Sequence, residues 1–358
     1  MSRPLRVGLV GCGVISSTYL ENDARFDGFE IVACADADPA RAVSCAEAHG
    51  IEALPLERLL ANSDIDCVLD LTPPPAHFDV GIAAIRADKH LYQEKPLATE
   101  LDDARTLLRE AAAAGVRVGC APDTFLGSGL QTARALLDQG VIGEPVGMAL
   151  TMLNGGPERW HPDPAFFYAP GAGPLFDVGP YHVTAAVSLL GSVARVVGST
   201  RRLADRRTTS TGPRAGDQFD VEVDTTVHAL LEHEWGSIAS LVTSFDAPGR
   251  AIVPFELRGT SGTLEGLDPN EFGGPLRLRR GTPEAEAETV PLLDGVVDDA
   301  RGIGLDDMAQ AIVGGSPHRA SGELALHVLE VMHAVLSSAR TGVRVDVSSR
   351  VERPAPLG

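Results

Sequence analysis

Cationic side chains are scarce in this sequence of 358 residues. Thirty Lys and Arg residues stand against forty-nine Asp and Glu residues, which gives a formal net charge of −19 at pH 7. Nucleic-acid binding depends on clustered cations that release counterions from the phosphates, and anionic membranes attract polybasic segments. We therefore expect neither nucleic acid nor a membrane surface as a partner.

Long apolar runs are also missing. The sequence has no stretch of about eighteen apolar residues, and its first residues lack the apolar centre of a secretory signal. Apolar residues nevertheless make up 44% of the chain, enough for a sizeable core. These features predict a soluble cytoplasmic protein, and the length suits two domains.

Cysteine is rare and irregularly spaced. No C-x-x-C pair occurs, and the ten histidines form no H-E-x-x-H or similar cluster. A disulfide framework, a structural zinc site and a catalytic metal are therefore not expected. The five cysteines are Cys12, Cys34, Cys45, Cys67 and Cys120.

The first third of the chain alternates short apolar runs with helical patterns. Apolar residues recur at three- and four-residue spacing over Pro39–His49 and Asp102–Ala114, which predicts helices. The apolar runs predict strands at Arg6–Val10, Glu30–Ala35, Cys67–Leu71, His90–Gln93 and Arg117–Cys120. This alternation implies βαβ units, so residues 1–123 are predicted to form a Rossmann domain with a doubly wound parallel sheet.

Beyond residue 123 the alternating runs become longer, with Gly or Pro between them. Thr226–Leu231 and Ile238–Thr243 are predicted to be neighbouring strands of a largely antiparallel sheet. Helical patterns around Leu305–Val313 and Gly322–Ala339 close the chain. Residues 124–358 are thus predicted to form an α+β domain with a large, mostly antiparallel open sheet.

A glycine motif follows the first predicted strand. Gly11 permits a tight turn, Gly13 lets the backbone approach a pyrophosphate, and Ser16 is small enough for helix–strand packing. A pyrophosphate would lie at the N-terminus of the next helix, where free N–H groups favour negative charge. The predicted dinucleotide contacts here are Gly11, Cys12, Gly13, Val14 and Ile15.

A carboxylate follows the second strand. Asp36 lies at the position where a carboxylate binds both hydroxyls of the adenosine ribose and repels a 2′-phosphate. No arginine follows it directly, so NAD is the expected cofactor. Arg41 keeps NADP as an alternative.

Glu94, Lys95 and Pro96 follow the fourth strand. They therefore lie on the same carboxyl edge as the glycine motif, where ligands bind in open parallel sheets. A lysine at this edge can polarise a substrate oxygen or exchange its proton.

These motifs resemble those of the glucose–fructose oxidoreductase/inositol dehydrogenase (Gfo/Idh/MocA) family. The resemblance extends over essentially the whole chain and includes Thr72-Pro73-Pro74-x-x-His77, Lys89-His90-x-x-x-Glu94-Lys95-Pro96-Leu97-Ala98 and Gly171-Ala172-Gly173-Pro174-Leu175-Phe176-Asp177-Val178-Gly179. It implies an NAD(P)-dependent oxidoreductase that moves a hydride between nicotinamide and a carbinol or carbonyl of a sugar or cyclitol.

The resemblance also implies partners and further cofactor contacts. Relatives form oligomers through the open sheet, which implies a homodimer or homotetramer. A lone histidine such as His77 is equally well explained by a structural role. The cofactor contacts implied on this edge are Thr72, Pro73, His77, Glu94 and Lys95.

The sequence departs from the commonest family pattern at one position. Many members have a histidine four residues after the motif aspartate, whereas here Tyr181 occupies that position and His182 follows. In a helix, four residues turn the chain by about 400° and five by about 500°. Asp177 and Tyr181 then share a face, and His182 points elsewhere.

These positions give a predicted mechanism. Lys95 and Tyr181 hold the reacting oxygen, Tyr181 transfers its proton, and Asp177 binds a neighbouring hydroxyl. His182 is the alternative acid/base. Trp160 and His161 precede the motif on a long loop, where they either stack on a sugar ring or anchor the loop.

The sequence leaves the role of one basic stretch and the choice among three functions undecided. The basic stretch lies between residues 195 and 214, and it either binds an anion, reaches a partner subunit or, as favoured, forms a solvated edge. The other functions are NAD-assisted cleavage or elimination of a glycoside through transient oxidation, and NAD sensing without catalysis. The arginines of the stretch are Arg195, Arg201, Arg202, Arg206, Arg207 and Arg214.

Overall fold

The computed structural model describes residues 3–249, 254–281 and 284–357. Internal contacts divide the chain into two compact units. The first unit runs up to Leu126 and includes Asp298–Leu329, and the second comprises Gly127–Val297 and the residues from Glu330 onward. The division predicted after residue 123 left Asp298–Leu329 in the second domain, because a helical pattern does not reveal which core its helix joins.

The first unit contains six strands and the helices that follow them. These elements are β1 (Leu5–Val10), α1 (Val14–Asn22), β2 (Phe29–Ala35), α2 (Pro39–His49), β3 (Glu52–Ala53), α3 (Leu56–Ala61), β4 (Cys67–Asp70), α4 (His77–Arg86), β5 (His90–Gln93), α5 (Leu101–Ala114) and β6 (Val118–Cys120). The strands form one sheet in the order β3-β2-β1-β4-β5-β6, and all pairs are parallel. The predicted doubly wound sheet is confirmed. Since β2 and β4 flank β1, the carboxyl ends of β1 and β4 border the crevice that binds ligands in such sheets.

The central strands are apolar on both sides. This is expected because helices cover both faces of a doubly wound parallel sheet. Val7 and Leu9 of β1, and Val68 and Leu69 of β4, are completely buried. Strand β3 was not predicted, because its two residues are too few to produce an apolar pattern.

Helix α2 illustrates how local sequence places the ends of an element. The Asp38 side chain accepts the N–H of Ala40 at 3.0 Å and caps the helix, and Pro39 occupies the first turn. Gly50 ends the helix in the left-handed conformation at φ +70°. The predicted helix Pro39–His49 is confirmed at both ends.

The remaining elements belong mainly to the second unit. In chain order they are α6 (Ser128–Asp138), β7 (Pro145–Leu153), α7 (Pro174–Leu190), β8 (Val193–Arg201), β9 (Arg206–Thr208), β10 (Gln218–Asp220), β11 (Thr226–His233), β12 (Ile238–Ser244), β13 (Phe255–Gly259), β14 (Gly262–Glu265), β15 (Leu276–Arg280), β16 (Glu288–Val290), α8 (Ile303–Gly314), α9 (Gly322–Thr341) and β17 (Val345–Asp346). Nine strands form a sheet in the order β16-β15-β14-β13-β7-β12-β11-β8-β17, and β9 pairs with β10.

The nine-stranded sheet is mostly antiparallel, as predicted. Within the described ranges, β7 and β12 form its parallel pair. The predicted neighbours β11 and β12 pair antiparallel from Thr226–Ser244 to Glu232–Ile238. Along β11, Val227 and Leu231 are buried whereas Leu230 is exposed, and α7 packs on β7, β11 and β12. One face of the sheet therefore carries the core of this unit.

The segment Asp298–Leu329 is hydrogen-bonded into the first unit. Its helix α8 contacts β2 and β6. The Asn22 side chain donates to the carbonyls of Asp299 and Arg301, at 3.1 Å each. The fully buried carboxylate of Asp123 accepts the N–H groups of Gly302 and Gly304 at 3.0 and 3.1 Å. Burial raises the pKa of Asp123 to about 6.

Across the described ranges of the chain, no helix has both the length and the apolar composition needed to cross a bilayer.

Candidate active site

The glycine loop (Gly11–Gly13) connects β1 to α1 with its backbone tightly placed. Gly11 has φ +98°, and a Cβ there would lie 2.8 Å from the backbone of Leu71 and Thr72. Its N–H donates to the carbonyl of Ala35 at 2.8 Å. Glycine is therefore required at position 11 by both conformation and space.

Gly13 is a glycine for a different reason. Its φ of −85° is open to any residue, and a Cβ would meet no atom of the described chain within 4 Å. Gly13 is also the N-cap of α1, and no side chain in the described part of the protein caps that helix. The Ser16 N–H bonds back to the Gly13 carbonyl at 3.3 Å, and the other N–H groups at the start of α1 are available to an anion. The protein's own packing does not explain this glycine.

The Asp36 side chain is hydrogen-bonded to the glycine loop. One carboxylate oxygen accepts the N–H of Cys12 at 2.8 Å, and the other accepts the N–H of Asp38 at 2.8 Å. The side chain is half-buried at the end of β2. These bonds orient the carboxylate beside α1 and occupy the Cys12 amide, and each oxygen retains a lone pair for a ligand hydroxyl.

The loop after β4 is fixed by buried polar groups. Asp70 accepts the N–H and the hydroxyl of Thr72 at 3.0 and 2.6 Å, and burial raises the pKa of its carboxyl. His77 is fully buried, with Nδ1 at 2.7 Å from the carbonyl of Pro96 and Nε2 at 2.7 Å from that of Thr72. The His77 ring thereby connects the Thr72–Pro73 turn to the segment containing Lys95.

Glu94 and Lys95 are half-buried directly after β5. The Glu94 carboxylate accepts the hydroxyl of Tyr19 at 3.0 Å and the N–H of Lys95 at 3.0 Å. Tyr19 is itself fully buried in α1. The first unit thus brings the glycine loop, Asp36, the Thr72–Pro73 turn and Lys95 to the carboxyl ends of neighbouring strands, as the sequence predicted.

Helix α7 of the second unit carries the other predicted catalytic residues. Asp177 and Tyr181 are one turn apart and so share a face, with Asp177 half-buried and Tyr181 buried. His182 is 2% exposed, and its Nδ1 lies 3.0 Å from the carbonyl of Val178. A carbonyl requires a proton on Nδ1, which leaves Nε2 as an acceptor. That Nε2 is buried without a partner in the described ranges, and burial lowers the pKa of His182.

Trp160 and His161 belong to a group of ring side chains in the aromatic loop (Glu158–Tyr168). Trp160 is 63% exposed and contacts the rings of His161 and Phe167 edge-on at 5.5 and 5.8 Å. His161 also contacts Phe166, which is itself exposed. Sequence reasoning missed Phe166 and Phe167, although the spacing of four ring side chains within eight residues was a usable signal.

A buried charge network holds the aromatic loop. Arg207 donates to Glu158 at 2.7 Å and to the Tyr168 hydroxyl at 3.2 Å, and it pairs with Asp246. The Tyr168 hydroxyl donates to Glu158, and Phe245 packs on the Tyr168 ring. The predicted solvated edge is therefore wrong for Arg207, because its guanidinium lies inside this network.

Four other arginines of the predicted basic stretch pair with carboxylates at the surface. These ion pairs neutralise much of its charge and leave little to attract an anion. They are Arg195–Glu232, Arg202–Asp205, Arg206–Asp220 and Arg214–Asp163.

Comparison with protein families gives two matches, one in each unit. A model described as oxidoreductase family, NAD-binding Rossmann fold, matches residues 5–121. A model described as the GFO/IDH/MocA C-terminal domain matches residues 130–265.

Curated relatives match over different lengths. A dTDP-3,4-didehydro-2,6-dideoxy-alpha-D-glucose 3-reductase from Saccharopolyspora spinosa is 29% identical, over 96% of this chain and 99% of its own. A D-apiose dehydrogenase from Paraburkholderia graminis is 28% identical, over 97% and 91%. Inositol 2-dehydrogenase 3 from Saccharopolyspora erythraea is 35% identical but only over 40% of this chain and 43% of its own.

Solved structures share the whole fold. An NAD binding oxidoreductase from Klebsiella pneumoniae has a TM-score of 0.85 at 25% identity, covering 97% of this chain and 100% of its own. A levoglucosan dehydrogenase in complex with NADH and levoglucosan has a TM-score of 0.82 at 21% identity, covering 97% and 100%, and supports the fold alone.

Proposed function

The chain belongs to the GFO/IDH/MocA family of NAD-binding oxidoreductases, as its motifs predicted, and we propose that it oxidises or reduces a carbinol or carbonyl carbon of a sugar-like polyol. The observation that carries the proposal is the arrangement at one sheet edge of the glycine loop, Asp36 and Lys95, each on the carboxyl end of a different strand. Ligands bind at this edge in doubly wound sheets.

The residues present fit a nicotinamide dinucleotide. The open space at Gly13 and the uncapped N-terminus of α1 suit a pyrophosphate, since backbone can approach it and N–H groups point at it. Asp36 would bind the adenosine ribose, because its carboxylate is already oriented by two backbone N–H groups. When bound, the nicotinamide supplies the hydride acceptor or donor.

The cofactor preferred by this geometry is NAD. A 2′-phosphate would place a second negative charge beside the Asp36 carboxylate, which repels it. Arg41 is largely exposed on α2 and pairs with Asp38, so part of its charge is already neutralised and less of it is left to bind a 2′-phosphate. NADP is the alternative.

Lys95 and Tyr181 are the proposed groups for the reacting oxygen. The Lys95 ammonium would stabilise negative charge on it, and the Tyr181 hydroxyl would exchange its proton with it. Asp177 shares the helix face of Tyr181 and would accept a hydrogen bond from a neighbouring hydroxyl of the substrate. Trp160 would stack on the apolar face of a sugar ring.

His182 is the competing acid/base. Its lowered pKa keeps the ring neutral at pH 7, so it would act as a base through the unpartnered Nε2. Tyr181 is favoured because it shares a helix face with Asp177.

Three residues of the cofactor edge have a positioning role in this proposal. His77 connects two loops through both ring nitrogens and has neither nitrogen available for a ligand. Thr72 is engaged with Asp70, and Glu94 orients the Lys95 backbone. We therefore assign His77, Thr72 and Glu94 to holding the edge in shape.

Self-association through the open sheet is also proposed. Val197, Leu230 and Ile238 expose apolar side chains at 39%, 48% and 48% on three adjacent strands. Covering such a face would remove apolar area from water, and a symmetric homodimer achieves this with one surface. Light scattering on the wild-type protein and on Leu230→Glu tests it, since a charge on this face would shift the mass toward the monomer.

A spectrophotometric screen tests the proposed function. The protein is incubated separately with NAD and NADP and a panel of sugars, cyclitols and glycosides, and the absorbance of reduced nicotinamide is followed. Net accumulation with a polyol supports the proposal. Glycoside cleavage without net accumulation, or cofactor binding without turnover of any substrate, would contradict it.

A further inference from the structure

Three cysteines converge beside the glycine loop. Cys12 lies in that loop, Cys34 in β2 and Cys45 in α2, and their sulfur atoms all lie within 4.8 Å of one another. Their spacing in sequence matches no metal motif, because the fold alone brings them together. Strands β1 and β2 are parallel neighbours, and α2 returns along the sheet directly after β2.

The cluster is buried at one end and open at the other. Cys34 is completely buried, and its thiol lies 3.4 Å from the carbonyl of Ala42. Cys12 and Cys45 are half-exposed and line a surface cavity of about 420 Å³ together with His49. His49 follows Cys45 by one helical turn and therefore lies on the same side of α2.

We propose that Cys12, Cys34 and Cys45 bind one thiophilic d¹⁰ cation of the zinc and cadmium class, with the fourth position open toward the cavity and His49. Sulfur ligands of a tetrahedral zinc site lie about 3.8 Å apart, given Zn–S bonds of about 2.3 Å. The observed sulfur separations need only small side-chain adjustments to reach that geometry. Three thiolates and one imidazole form a common donor set for such ions.

Metal binding releases protons from the three thiols. Each of the three thiols releases one proton to solvent as its sulfur bonds to the dication, so the site changes from neutral to one net negative charge. The hydrogen bond with the Cys34 thiol raises the pKa of Cys12, and burial raises the pKa of Cys45 to about 11. Metal affinity should consequently increase with pH.

The same surroundings disfavour a disulfide as the function of the cluster. Oxidants attack thiolates, and the raised pKa values of Cys12 and Cys45 disfavour the thiolate form of these two cysteines at pH 7. A disulfide would also use only two of the three converging sulfurs. Metal coordination uses all three.

Cadmium titration tests the site without reference to turnover or to the proposed function. Metal-free, reduced full-length protein is titrated with Cd²⁺, and the ultraviolet thiolate-to-cadmium charge-transfer band is measured. We expect one Cd²⁺ per chain with the intensity of three thiolates. Cys45→Ser should weaken binding by at least about a hundredfold, since even changes around metal ligands cost up to that amount.

Cys67→Ser is the matched control. Cys67 is a buried cysteine in β4 outside the cluster, so this variant loses one thiol and should titrate like the wild type. Identical titration curves for Cys45→Ser and Cys67→Ser would overturn the proposal. So would the absence of the charge-transfer band from the wild-type protein.

Alkylation of the wild-type protein keeps the test independent of variant folding. One equivalent of Cd²⁺ should protect the half-exposed Cys12 and Cys45 from iodoacetamide, as read by peptide mass spectrometry. Unchanged labelling of both residues, or a disulfide between them that forms in place of metal binding, would refute the site.

Discussion

The glycine loop of the first unit and the aromatic loop of the second unit are held by different kinds of interaction. Backbone hydrogen bonds hold the glycine loop, with the Gly11 N–H on Ala35 and the Cys12 N–H on Asp36. Side chains distant in sequence hold the aromatic loop, chiefly Arg207 on Glu158. A loop that is held by backbone hydrogen bonds depends on glycine at fixed positions. A loop that is held by buried ion pairs depends on every charged side chain of the network being present.

Removing Arg207 should have the largest effect. Arg207→Met leaves the carboxylates of Glu158 and Asp246 buried without their cation, and breaking such a buried pair costs about 3–5 kcal/mol. Urea denaturation of the variant should show that loss of unfolding free energy.

Arg206→Met is the control for this change. Arg206 is exposed and pairs with Asp220 at the surface, so its loss should cost less than about 1 kcal/mol. Equal losses for the two variants would mean that the aromatic loop does not depend on the buried network.

Tyr181→Phe tests the proposed proton transfer. Removing the hydroxyl should lower kcat by about a hundredfold or more, the scale of general acid–base effects. The helix should stay intact, because the ring that fills its buried position remains. Steady-state kinetics beside His182→Ala decides the assignment, and full activity of Tyr181→Phe with an inactive His182→Ala would transfer the role to His182.

Gly13→Val separates ligand binding from folding in the glycine loop. Its backbone angles and surroundings accept a side chain, so the melting temperature should not change. A side chain there would hold the proposed pyrophosphate away from the N–H groups of α1, and loss of a hydrogen bond to a charged group, worth about 1.5–3 kcal/mol, lowers affinity by up to about a hundredfold. NADH fluorescence titration should show weaker binding by about that factor.

Gly11→Val is the contrasting variant. Its positive φ and the 2.8 Å approach to Leu71 should destabilise the protein itself. A Gly13→Val protein that melts early, or one that binds NADH normally, would remove the distinction between the two glycines.

Asp36→Asn should have the smallest effect of the four. The amide keeps the shape but loses the charge and one of the two oxygens that accept the N–H groups of Cys12 and Asp38. A hydrogen bond to a charged acceptor is stronger than one to a neutral acceptor by an amount that corresponds to about tenfold in affinity. NAD binding should weaken by that factor and NADP binding should strengthen. Isothermal titration with both cofactors measures the change, and an unaltered ratio would place the ribose elsewhere.

Most of the first unit was predictable from sequence because its determinants are local. The apolar runs locate the strands, and the glycine pair and Asp36 directly follow strand ends. A parallel sheet brings those ends together at one edge. The apolar spacing predicted helix α2 over Pro39–His49, and the structure confirms both ends, where Asp38, Pro39 and Gly50 are local determinants.

What escaped prediction depends on residues far apart in sequence. Arg207 looked like part of a solvated basic stretch, because nothing near it in sequence reveals Glu158 or Asp246. A structural role for His77 was one of two alternatives left open by the sequence, and its contact with the Pro96 carbonyl was not foreseen. The convergence of Cys12, Cys34 and Cys45 depends on strand order. The assignment of Asp298–Leu329 to the first unit is also a contact between distant segments.

The discontinuity of the first unit has a consequence for protein synthesis. Helix α8 emerges from the ribosome only after all of Gly127–Val297 has been made, a delay of roughly ten to thirty seconds at about 5–20 residues per second. During that interval the carboxylate of Asp123 lacks its two donors on Gly302 and Gly304, and the Asn22 amide lacks its carbonyls. Until that segment has been made, the Rossmann sheet therefore lacks the contacts of α8 with β2 and β6.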